Sequence, residues 1–186
     1  MDNIYEESTA LEIPVWIINA FVSNGRGGNP AGVVLDADGL GESGMQAIAA
    51  EVALSETAFV SKSAKAGFKL DLFTPTRRIA HCGHATIAAF SYLASLDRVG
   101  EGVTSKETVD GLRKIVIKDG AAYMEQLAPT YFNGEKWPAA GVTLDAVLDS
   151  LGLQLSSLDD RAPPAVVSTG NRFLVIGVKT GIFLGK

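Results

Sequence analysis

"GHATIAAFSYLASL", residues 83–96, carries small or apolar side chains on nearly every face of a helix. A helix that is apolar all round has no side to give to water and is buried. The segment therefore predicts a central helix enclosed by a curved sheet, and the strands that enclose it should lie on either side in the sequence. Upstream, "ETAFVSK" (56–62) and "GFKLDLFT" (67–74) alternate or run apolar over strand length with a short polar turn between them, as a strand pair would. Further back, "IPVWIINAFV" (13–22) and "AGVVLD" (31–36) flank the Gly/Asn/Pro-rich "SNGRGGNP" and predict a β-hairpin with a long tip. Between these pairs lies "SGMQAIAAEVA" (43–53), where Ser43 and Gln46 have the spacing of a capping box ahead of apolar residues at helical intervals. Downstream, "LRKIVIKDG" and "AAYMEQLA" (112–128) predict a hairpin turning at Asp119-Gly120. "TLDAVLDSLG" (143–152) predicts a helix stopped by Gly152, and residues 163–179 two further strands around Ser168-Thr169-Gly170-Asn171. That last unit is an abbreviated echo of the first hairpin.

The composition fits this α+β (mixed α/β) plan. Of 186 residues, 47% are hydrophobic and 20% charged, with 20 glycines, which is far from the polar, charge-dense profile of disorder. A net charge of −5 argues against a phosphate-binding surface and thus against nucleic acid as partner. One cysteine cannot form an internal disulfide, so the cytoplasm is the expected compartment. The first ten residues are acidic and lack the apolar core of a signal peptide, and no apolar run approaches the ~20 residues that span a bilayer.

His81, Cys82 and His84 are both histidines and the only cysteine of the chain. Structural zinc needs four converging ligands, and neighbouring side chains point apart, so no metal is expected here. "GRGGNPAG" (25–32) lacks the Gly-Lys-Ser/Thr ending of a P-loop, and Pro30 replaces the third glycine of a dinucleotide fingerprint. Cys82 stands just ahead of a helix N-terminus, which favours a thiolate, but free cysteines are commonly inert packing residues, and that is the reading preferred. Two-thiol racemisation is excluded, for there is no second thiol. Glu56 lies between two apolar runs. Either it is buried with a raised pKa suited to giving and taking a proton, or it starts a strand and faces solvent. Gly83 and His84 either present N–H groups and an imidazole to an anion or simply cap and pack the helix.

Taken in order and spacing, "NPAGVVL", "LSETAFV" and "FTPTRRIAHCGHATIAAF" resemble the phenazine-biosynthesis PhzF-like isomerase family, relatives of diaminopimelate epimerase. The resemblance spans about residues 13–180 and implies two similar halves, each a curved, mostly antiparallel sheet around a central helix, with a cleft between. On that pattern residues 1–128 are a first half, and 129–186 are a linker, a helix and the opening strands of a second. The resemblance implies that Glu56 moves a proton on a small carboxylate-bearing substrate without any cofactor, with His84 as its catalytic companion. It implies that Asn29, Gly83, Ala85 and Thr86 line the substrate site. Two departures stand out. Arg77 and Arg78 occupy a stretch where the family more usually has an acid, and the second-half Asp-Pro-Ala-Thr-Gly-type loop is missing from this sequence. Half a cleft leaves apolar surface, so a homodimer is expected. The alternative function is a catalytically impaired small-ligand binding module.

Overall fold

The computed structural model describes residues 12–133, 142–169 and 172–179. They divide into two compact units between Glu125 and Gln126. The first contains β1 (Trp16–Ala20), β2 (Asn29–Val34), α1 (Glu42–Val52), β3 (Thr57–Ser61), β4 (Phe68–Phe73), β5 (Arg78–Ile79), α2 (Gly83–Ser95), β6 (Gly102–Thr108), β7 (Gly111–Lys118) and β8 (Ala121–Met124). These strands make one sheet in the order β1-β2-β3-β4-β6-β7-β8, with β5 added to β4. Only β2–β3 and β4–β6 pair in parallel. Parallel neighbours need a long crossover, and α1 and α2 lie in those two connections.

The two helices cover opposite faces of the sheet. Helix α2 packs against β1 and β2 and also against β7 and β8, strands from the two ends of the order, so the sheet curls around it. Its Ala85, Ala88, Ala89, Phe90 and Leu93 are completely buried. Small residues let the sheet close in, and Phe90 meets the Phe68 ring edge-on at 5.9 Å between centroids. Met45 and Ala49 of α1 pack on the other face with Val34, Phe59 and Phe73. Strand β3, covered on both faces, is buried at all five residues, which is why its sequence runs apolar instead of alternating.

Several local expectations are corrected. The α1 N-cap is Gly41, not Ser43; Gln46 does not reach back to a cap but donates to the Thr74 carbonyl at 3.0 Å. The β7–β8 hairpin turns at Asp119-Gly120, both at positive φ (52° and 72°), but β8 ends at Met124. Strands β5 and β6 were not anticipated. Arg78 in β5 pairs with the buried Asp71 and with Glu42, so two acids from β4 and α1 meet the arginine of the unusual Arg77-Arg78 stretch.

The second unit contains β9 (Thr130–Asn133), α3 (Leu144–Leu151), β10 (Ala165–Ser168) and β11 (Arg172–Val175). Its strands form an antiparallel sheet ordered β11-β10-β9, and β9 also went unanticipated. The Thr143 hydroxyl caps α3 by accepting the Ala146 N–H at 3.2 Å, and Gly152 closes it at φ 64°. The expected turn residues Gly170 and Asn171 lie outside the described residues, as do 134–141, where part of the expected linker falls, and the tail from Thr180.

Candidate active site

Helix α2 begins where the chain leaves β5, and Cys82 in extended conformation (φ −148°, ψ 125°) is its N-cap. The Cys82 side chain makes no capping hydrogen bond of good geometry, although the Ala85 and His84 backbone N–H groups act on its sulfur, and the start of α2 is an electropositive end. Glu56 arrives from the other side, one residue before β3. Its carbonyl accepts the Gly32 N–H at 3.0 Å, which ties it to the neighbouring parallel strand β2.

The result is a compact cluster. Ligand-type atoms of Glu56, Cys82 and His84 all lie within 4.8 Å of one another. His84 Nε2 stands 3.3 Å from Glu56 Oε2, and both atoms are buried with no hydrogen bond among the described residues. The separation is that of an ion pair, yet the geometry is off the hydrogen-bond line. On the other side of the ring, His84 Nδ1 lies 3.4 Å from Cys82 Sγ. Burial pushes the Cys82 thiol up to about 11, against the opposing pull of the Ala85 backbone N–H. The thiol therefore keeps its proton near neutrality, and in the tautomer in which it donates to Nδ1 the ring proton lies on Nε2, facing Glu56. Cys82 packs, as anticipated for it, and also orients His84.

Of the residues singled out from sequence, Glu56, Gly83 and His84 come together. Ala85 and Thr86 belong to the same helical turn but bury their side chains completely. The Thr86 hydroxyl donates to the Cys82 carbonyl at 2.6 Å. Asn29 is exposed at the first position of β2. Since Gly32 pairs with Thr57 in parallel register, Asn29 lies toward the same end of the sheet as Glu56. His81 is buried near Asp110, with Nδ1 3.9 Å from its carboxylate. Its pKa is held below the ordinary value, by burial first and by the Lys106 charge second.

Lys106 is the residue that sequence reasoning missed. It lies in β6, fully buried, and its Nζ donates to Thr86 Oγ1 at 2.8 Å. Burial lowers its pKa from 10.5 to about 8. The only sequence signal was a lysine in an inward register with Thr108, legible once the strand is known. A concavity lies elsewhere, between the approach to β1 and α1, and offers only the carboxylates Glu12 and Glu51 among apolar walls; the titratable cluster is at α2.

The family profile described as "Phenazine biosynthesis-like protein" matches residues 18–182. An "Uncharacterized isomerase YddE" of Salmonella typhimurium is 33% identical over 172 residues, which is 90% of this chain and 57% of that protein. The "Uncharacterized isomerase YfhB" of Bacillus subtilis is 34% identical over 91% of this chain and 57% of its own length. Among solved structures, the "phenazine biosynthesis protein, PhzF family" of Bacillus anthracis is similar with a TM-score of 0.73 at 34% identity, covering 90% of this chain and 56% of that one. The chain thus spans little more than half the length of these relatives.

Proposed function

The chain belongs to the phenazine biosynthesis-like (PhzF) family, and from that premise we propose that it is a cofactor-independent isomerase or epimerase acting on a small carboxylate-bearing metabolite in the cytoplasm. Glu56 is the proton carrier. His84 faces it with a ring N–H and holds it or the developing charge on the substrate. The substrate carboxylate sits at the α2 N-terminus on the Gly83, His84 and Ala85 N–H groups, with Asn29 at the rim and Thr86 holding the turn from behind.

One observation carries this reading. Glu56 Oε2 and His84 Nε2 face each other at 3.3 Å, and each is buried without a hydrogen bond among the described residues. Unsatisfied buried polar atoms are costly and rare in a purely structural role. A substrate proton and oxygen would satisfy both. Movement of a proton between carbon atoms needs only such a carboxyl, an anion site and shelter from water.

The experiment is proton exchange in D₂O over a panel of small amino, hydroxy and unsaturated carboxylates. Glu56→Gln is expected to lower deuterium incorporation by roughly 10²–10⁴-fold. Equal incorporation by both proteins, or none from any compound, overturns the acid/base assignment. Saturable binding without exchange would instead support the small-ligand binding module. Self-association is part of the proposal. Tyr131, Phe173 and Val175 in the second unit expose more than half of their surface, an apolar area of the kind that draws copies together. Sedimentation equilibrium that gives only monomer at high concentration would remove that part.

A further inference from the structure

Lys106 has no place in that account, and packing does not explain it. It is one of the largest fully buried side chains of the protein. Among the described residues no carboxylate forms an ion pair with it; Asp110, an acid whose charge acts on it, is engaged by Arg113 at 2.6 Å. An unpaired buried ammonium costs stability that an apolar side chain of the same length would not. Its position is nevertheless specific. Lys106 Nζ donates to Thr86 Oγ1 at 2.8 Å, and that hydroxyl donates to the Cys82 carbonyl at 2.6 Å. Cys82 is the N-cap residue of α2, so the lysine holds the first turn by a two-link chain. Its charge lies behind the helix end whose backbone N–H groups point outward, and the two fields add.

We propose that Lys106 is a positioning residue of the α2 site: through Thr86 it fixes the Cys82–Thr86 turn and sets one buried positive charge behind the Gly83–Ala85 N–H groups, which makes the site selective for carboxylate anions over neutral ligands. The proposal rests on the reading of this cluster as a substrate site and gives the preference for carboxylates a physical basis. It is tested by binding alone, so that a chain with lysine-dependent anion binding but no exchange would sink only the acid/base assignment.

The probe is malonate, with neutral malonamide as its control, added to the full chain at constant ionic strength while the Gly83 and His84 amide resonances are followed by NMR. Wild type is expected to show saturable shifts with malonate and none with malonamide. Lys106→Met is expected to weaken malonate binding by roughly tenfold or more, the scale of one charge removed from a poorly solvated site. No malonate binding by wild type, equal response to both probes, or unchanged affinity in Lys106→Met overturns the proposal.

Should Lys106→Met fail to fold, the wild type alone decides. The groups whose charges act on Lys106 are Cys82, Arg113 and Asp110, and Lys106 in turn acts on His81. Glu56 and His84 belong to the site itself; of the groups coupled to the lysine, His81 titrates below its ordinary value and Cys82 only at about 11, so the change expected from Lys106 falls between about pH 7 and pH 9.5. Malonate affinity is expected to fall by roughly tenfold across that range. A flat profile overturns the proposal.

Discussion

Replacing Lys106 with Met should change how stability depends on pH, and by an amount that follows from burial. The lysine falls from 10.5 to about 8 in the folded protein. At about 1.4 kcal/mol per unit, its protonated form costs the fold about 3 kcal/mol relative to the neutral amine. The sign follows from where the proton goes. Below the folded pKa both states carry the charge and the cost is fully present. As pH rises from about 8 to 10.5 the folded lysine is neutral while the unfolded one still holds its proton, so the cost fades. Wild type should therefore gain about 3 kcal/mol on Lys106→Met across this range. The assay is urea unfolding of both proteins at about pH 7 and at about pH 10.5, the ends of that titration. Taking the difference between the proteins cancels every other titrating group to first order. A difference independent of pH would refute the reasoning, and so would a Lys106→Met protein several kcal/mol less stable than wild type near neutrality.

Cys82 should show the opposite dependence. Its pKa rises from 9.0 to about 11 on folding, so its contribution is full below pH 9.0 and is lost as pH climbs through 11. Cys82→Ala should remove about 2–3 kcal/mol of alkaline destabilisation, seen as a flatter stability profile above pH 9; an unchanged slope would count against it. Gly32→Ala should strain the strand that holds Glu56. An added Cβ would sit 2.8 Å from Thr57 Oγ1 and 3.2 Å from Val52 Cγ1, and Thr57 is fully buried with little room to yield. A loss of about 1–3 kcal/mol is expected from denaturant midpoints, together with weaker exchange activity because the Gly32 N–H anchors the Glu56 carbonyl. A wild-type midpoint would show that the neighbours relax freely.

The parts of the fold legible in the sequence were those in which hydrophobic pattern and structure share one cause. Helix α2 is apolar all round because a curled sheet covers it, and β3 runs apolar because helices cover both its faces. Strand β6 was illegible for the converse reason. Its buried positions are Lys106 and Thr108, so its inward face is polar and no apolar alternation marks it. The same polarity hid the lysine of the site. At α1 the capping-box spacing was present, but tertiary contact took Gln46 to Thr74 and left Gly41 as the cap. Glu56 and His84 were found as a pair through motif resemblance; composition around each left its burial open. The role of Cys82 as the partner that orients His84 depends on a distance no spacing reveals.

The near-sequential order of the sheet bears on how the protein emerges from a ribosome. Strands β1 to β4 neighbour one another in chain order and can pair as they are made, with little loop entropy to overcome. Helix α2 follows them, yet it also packs on β7 and β8, which are synthesised later. Until Met124 has left the exit tunnel, a helix without a polar face has only half a sheet to shelter it. Nascent chains stalled between Ser95 and Met124 are thus the species most in need of a chaperone, and the β7–β8 hairpin is the step that ends that exposure.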